Sequence, residues 1–213
     1  MREIWLALLF IAGVAGVGPA AAQLPQPGVS GADSAGLLAV TAQDRVLGKA
    51  DAPITIVEYA SLTCSHCANF SRDVLPKLKE KWIDTGKARL ILRDFPLDEP
   101  ALRAAMVARC APPERYYPLI ETLFETQDQW AVAKDWRAAL ERLTRLAGIG
   151  KKDFDACLAN KAIEDQAAQS RLTASTLLGV ASTPTFFVNG KKFDGPPTEQ
   201  AFDQLLSGLA GKS

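Results

Sequence analysis

The chain has 213 residues, 48% of them hydrophobic, with 24 basic side chains set against 24 acidic ones. That composition builds a core and excludes a disordered chain. The even charge balance gives no footing for nucleic-acid binding, for a basic membrane-facing surface or for substrates chosen by bulk charge.

Met1-Arg2 precedes an apolar run from Ile4 to Val17, and Ala20-Ala21-Ala22 then offers small residues before Gln23. This is the layout of a secretory signal peptide over residues 1–22. An uncleaved anchor is the alternative, weakened by Gly13, Gly16, Gly18 and Pro19. Gln23 to Gly36 is rich in Pro, Gly, Ser and Ala and reads as a flexible lead-in. Leu37 to Thr41 reads as a short strand, and Val46-Leu47-Gly48 leads through Asp51-Ala52-Pro53 into a second. That second stretch, Ile54 to Tyr59, is β-branched, apolar or aromatic except at Glu58, and is expected as a buried strand.

After a turn over Ala60 to Thr63 comes Cys64-Ser65-His66-Cys67. The spacing of Phe70, Val74, Leu75 and Leu78 then predicts a helix from Ala68 to Lys81. Cys64 is expected to stand exposed at the helix start, where unpaired N–H groups and the dipole favour an anion. Such a placement lowers a thiol pKa and makes an attacking cysteine. Gly86 stops the helix, and Ala88 to Asp94 reads as a parallel strand completing a βαβ unit.

From Pro100 to Gly179 strand signals vanish. Helices are expected near Ala101–Cys110, Arg115–Glu125, Lys134–Ala147, Lys152–Ala159 and Ile163–Leu178, with a break over Asp128 to Trp130. Trp130 and Trp136 read as packing residues. Strand character returns at Thr185 to Val188. Asn189-Gly190 signals a hairpin returning through Lys191 to Phe193, and Thr198 caps a last helix carrying Phe202, Leu205, Leu206 and Leu209.

Export changes how the four cysteines are read. In an oxidising compartment an even number suggests disulfides. Cys64–Cys67 is the local pairing, which leaves Cys110–Cys157 as a structural staple, with a second redox centre as the alternative. Zinc held by all four is disfavoured, because the second pair lacks CxxC spacing.

Together these motifs resemble the DsbA-type thiol–disulfide oxidoreductases. The residues carrying the resemblance are Val57-Glu58-Tyr59, Cys64-Ser65-His66-Cys67, Phe95-Pro96-Leu97 and Ser182-Thr183-Pro184-Thr185-Phe186. The resemblance implies an α/β thioredoxin fold at 37–99 and 180–213 with an inserted α-helical subdomain at 100–179. Cys64 would then be the nucleophile and Cys67 its partner. His66, the one histidine of the chain, would support the Cys64 thiolate; an exposed helix position is the bland alternative. Ser65 departs from the proline common at that position. Glu58 would be a buried acid relaying protons for Cys67, unless it faces outward at the strand end. Pro184 would be a cis proline opposite the CxxC, leaving the Thr183 peptide to pair with an extended substrate; a trans proline opening an edge strand is the plainer reading.

The resemblance further implies a periplasmic monomer, with no cofactor and no metal, that oxidises reduced exported proteins. A quinone-linked membrane protein of DsbB type would reoxidise it. The alternatives are an isomerase or reductase of the same superfamily, or a non-enzymatic binding protein on this scaffold.

Overall fold

The computed structural model describes residues 31–211. The leader read at 1–22, and residues 23–30 of the lead-in, lie outside these. In chain order the elements are α1 (Gly31–Leu37), β1 (Val46–Leu47), β2 (Ile54–Ala60), α2 (Ser65–Asn69), α3 (Leu75–Leu78), β3 (Ala88–Asp94), α4 (Glu99–Cys110), α5 (Pro113–Glu125), α6 (Gln127–Trp130), α7 (Trp136–Leu146), α8 (Lys151–Leu158), α9 (Lys161–Leu177), β4 (Thr185–Val188), β5 (Lys191–Phe193) and α10 (Glu199–Ala210). This is a thioredoxin fold carrying a helical insertion between β3 and β4.

The five-stranded sheet has the order β1-β3-β2-β4-β5. β2 and β3 run parallel, with Glu58 opposite Leu92, and the other neighbours are antiparallel. Side chains on a strand alternate between faces, and here the two faces feed two cores. Ile54, Ile56, Ala60, Leu90, Leu92, Phe186 and Val188 join the larger core. Val57, Tyr59, Ile91 and Phe187 point into the smaller one with Leu178 and Val180. By the same parity Glu58 lies on the larger-core face. Phe70, Phe186, Phe193 and Phe202 cluster there, with neighbouring ring centroids 4.6 to 5.7 Å apart.

Two expectations are corrected at the N-terminal end. Leu37 to Thr41 is not a strand; Leu37 closes α1, and the first strand is Val46–Leu47. The reason is Arg93, whose guanidinium donates to the Leu37 and Ala39 carbonyls at 2.7 Å each. The same group pairs with Asp44, so this backbone is held by a side chain and is not available to a ladder. The lead-in is helical where described, since α1 begins at Gly31.

The helix after the CxxC does not run as one regular cylinder. π-type turns over Phe70–Val74 and Lys79–Ile83 flank α3, and the helical path reaches Ile83. The region read as a break at Asp128 to Trp130 contains the short helix α6. Trp130 is fully buried there, and its indole N–H donates to the Leu123 carbonyl at 2.8 Å. The insertion is stitched to the sheet by Tyr117, whose hydroxyl accepts from the Leu92 N–H at 3.2 Å and donates to the Arg45 carbonyl at 2.7 Å. Asn189 and Gly190 both take positive φ, 46° and 77°, as the hairpin turn requires.

Candidate active site

The site is built where the parallel β2 ends and α2 begins. Cys64 is the N-cap of α2 and stays extended, with φ −83° and ψ 118°. Its Sγ therefore accepts from the Cys67 N–H at 3.4 Å, in the place a serine or aspartate oxygen commonly fills. The turn before it is braced from outside. Ser61 lies within hydrogen-bond reach of Thr63, 3.2 Å between their oxygens, and accepts from the Leu97 N–H at 3.3 Å. The Thr63 hydroxyl donates to Asp98 at 2.9 Å, and Asp98 also caps α4 by accepting from Ala101. The Phe95-Pro96-Leu97 stretch thus leads into the clamp on the reactive turn.

Cys64 and Cys67 are both free thiols, and their surroundings divide them. The Cys64 thiol is lowered to about 5 from 9.0, first by donation from the Cys67 thiol. Burial opposes this, and the Thr183 hydroxyl and the N–H groups of Cys67 and His66 add to it. Donors to the charged form favour that form. Cys67 is pushed far upward, first by burial, then by its hydrogen bond to Cys64 and by the charges of Glu58 and Cys64. Cys67 has no exposed surface, whereas Cys64 keeps 9%. That is less than the exposed sulfur expected at a helix start. The Thr183 carbonyl accepts from the Cys64 thiol at 3.3 Å across the site.

Glu58 is 2% exposed, and its Oε1 has no hydrogen-bond partner. Its carboxyl is pushed up to about 8, first by burial and then by the negative Cys64 sulfur. It does not face outward. An unpaired carboxyl in a core is costly when charged, so it is held protonated.

The Thr183–Pro184 bond is cis, and this loop sits directly before β4 on the site. With His66, Asn69, Phe70 and Pro197 it lines a groove of about 440 Å³. The Thr183 hydroxyl is buried without a hydrogen-bond partner, although it lies close enough to contribute to the ionisation of Cys64. His66 is exposed on the first turn of α2. Cys110 and Cys157 lie apart from the site and are joined as a disulfide between α4 and α8.

Two features escape the sequence analysis. Asp98 followed by Glu99-Pro100 carries a helix-start signal that could have been read. Gln127 carries none: its amide donates to the Leu62 carbonyl at 2.9 Å and to the Cys64 carbonyl at 3.1 Å, from between the helix read to Glu125 and the break read at Asp128. Among the described residues no group of three or more His, Cys, Asp or Glu side chains is placed to hold a metal ion.

Comparison with known proteins gives a consistent result. A family model described as thioredoxin matches residues 40–207. The crystal structure of Wolbachia pipientis alpha-DsbA1 superposes with a TM-score of 0.78 at 36% identity, covering 84% of this chain and 96% of that one. A Rickettsia bellii chain whose name assigns it as a protein-disulfide oxidoreductase is 33% identical over 148 residues, 69% of this chain and 57% of its own length. The chain thus spans little more than half the length of the curated relatives it matches. A structure titled protein-disulfide isomerase, from Novosphingobium aromaticivorans, has a TM-score of 0.70 at 23% identity over 80% of this chain and 99% of that one, and shares the fold.

Proposed function

The chain belongs to the thioredoxin family, in its DsbA-type branch, and from that premise we propose that it is a thiol–disulfide oxidoreductase working as an oxidase of exported proteins. One observation carries this reading: three residues apart, Cys64 is held toward its anion and Cys67 toward its neutral thiol. A disulfide whose reduced form is stabilised in this way is a strong oxidant.

The cycle starts from a Cys64–Cys67 disulfide. A substrate thiolate attacks Cys64 Sγ, the more accessible sulfur, forming a substrate–Cys64 disulfide and breaking the Cys64–Cys67 bond. Cys67 departs carrying the electron pair and takes a proton. Glu58 holds one at neutral pH on the same face of the sheet, which suits it to relay that proton. A second substrate thiolate then attacks the substrate sulfur of the mixed disulfide. Cys64 leaves as a thiolate, an easy departure for a low-pKa sulfur. The substrate has lost two electrons and the enzyme's pair has gained them. The groove at Thr183 and Pro184 would seat the substrate as an extended segment beside the reacting sulfur, with the Thr183 peptide as its backbone partner. His66, on the rim of the same groove, is placed to meet that segment and to support the Cys64 thiolate when it forms.

Export to the periplasm is supported by the leader-like residues 1–22 and by the second disulfide, which suits an oxidising compartment. Reoxidation by a quinone-linked membrane protein of DsbB type, and action as a monomer, complete the proposal. The deciding measurement is the equilibrium constant with glutathione, together with catalysed refolding of a reduced and of a scrambled multi-disulfide protein. An oxidase accelerates the first substrate and has a potential at or above that of glutathione. A thioredoxin-like potential would mark a reductase, and preference for the scrambled substrate an isomerase.

A further inference from the structure

The helical insertion touches the reactive turn through one side chain that the cycle above does not use. The α5–α6 corner meets the active-site helix on two sides. On one, the Phe124 carbonyl accepts from Arg72 at 3.3 Å, and Arg72 also donates to Asn69 at 2.7 Å. On the other, Gln127 spans the Leu62 and Cys64 carbonyls. The corner is rigid enough to hold that geometry. Trp130, fully buried, is bonded back to Leu123. Within α6 the Gln129 N–H donates to Thr126 at 2.8 Å and the Ala131 N–H to Gln127 at 2.9 Å.

We propose that Gln127 is a positioning residue for thiol–disulfide exchange, fixing the Cys64 turn so that the insertion acts on the reacting sulfur through this amide. The physics is local. The Cys64 carbonyl already accepts the first helical bond, from Ala68 at 3.1 Å, and the Leu62 carbonyl ends the preceding turn. An amide NH₂ shared between them ties the turn at Leu62 to Cys64 and keeps Cys64 extended, with Sγ facing the Cys67 N–H. The sulfur is charged in the dithiol and uncharged in the disulfide, so this support favours the reduced form more than the oxidised one. The proposal rests on the reading of Cys64 as the nucleophile.

The test is Gln127→Met, which keeps the length of the side chain and removes both donors. Its glutathione equilibrium constant should move about fivefold toward the disulfide, the equivalent of about 1 kcal/mol for one ordinary hydrogen bond. The Cys64 midpoint, followed by thiolate absorbance, should rise with it. Gln127→Glu, near-isosteric and lacking the same donors, reads the same constant if the methionine variant does not fold, and should move it in the same direction. A merely structural role predicts equal loss of thermal stability in both redox forms with the constant unchanged. That result, or a more oxidising variant, overturns the proposal. The two readings separate cleanly: a thioredoxin-like constant for the unsubstituted protein sinks the oxidase reading alone, while the variant-to-parent ratio still reports on Gln127.

Discussion

The molecule holds two cysteine pairs in opposite electrostatic settings. Cys64 sits ahead of the first turn of α2, where free N–H groups converge on its sulfur. Cys110 is the last residue of α4, and Cys157 lies in the last turn of α8. Helix ends of that polarity present carbonyls and a negative dipole, which favour cations and disfavour a thiolate. One pair therefore sits where a thiolate is favoured and the other where it is not, which is the division of roles the proposed function needs. Residue type is the same in both; position on a helix sets the chemistry.

Substitutions can break this contrast. Cys64→Ala should abolish exchange entirely, measured as catalysed oxidation of a reduced protein substrate. Replacing Cys110 and Cys157 together by alanine should leave that rate near its parent value. The loss should appear as stability, about 4 kcal/mol in the chain-entropy model for cysteines 47 residues apart. Chemical denaturation of the double variant reads it. Redox activity lost with the second pair would overturn the division of roles.

Titration sharpens the contrast further. Glu58 holds a proton up to about 8 in the folded chain against an ordinary 4.5. Between those values the folded state binds more protons than the unfolded one, so stability falls as pH rises. Cys64 runs the other way, about 5 folded against 9.0 ordinarily. In its window the folded dithiol has released a proton that the unfolded chain retains, and stability rises with pH. The sulfur contribution disappears in the disulfide. Burial, the larger cause, still raises Glu58 when the Cys64 charge is gone, so unfolding midpoints should fall with rising pH above about 4.5 in the oxidised protein and stay flatter in the reduced one. Glu58→Gln should remove the fall from the oxidised profile; a slope that survives this change would assign it elsewhere.

The smallest effect is expected at Thr183, whose buried hydroxyl has no other partner. Thr183→Val should raise the Cys64 midpoint and weaken the oxidising power by about fivefold or less, one hydrogen bond at most. No change in thiolate absorbance would remove that hydroxyl from the account.

The sequence determined the parts whose signals are local. The apolar, β-branched run through Ile54 to Tyr59, the helical spacing after Cys67, Asn189-Gly190 at the hairpin and Thr198 at the last cap each encode short-range geometry, and each element stands where its pattern lies. The motifs likewise pointed to Cys64, Cys67 and Pro184, and the fold brings the CxxC against the Thr183–Pro184 loop. What only the tertiary structure decided were contacts between residues far apart in the chain. Arg93 captures the Leu37 and Ala39 carbonyls from across more than fifty positions and dissolves the strand expected there. Gln127 reaches the Cys64 turn from 63 residues away. Which face of β2 carries Glu58 followed from parity, but that this face is buried was decided by the core packed on it, where Glu58 keeps 2% exposure. Side chains that satisfy distant backbone leave no periodic trace, since the partner they serve is fixed by the fold and not by their neighbours in the chain.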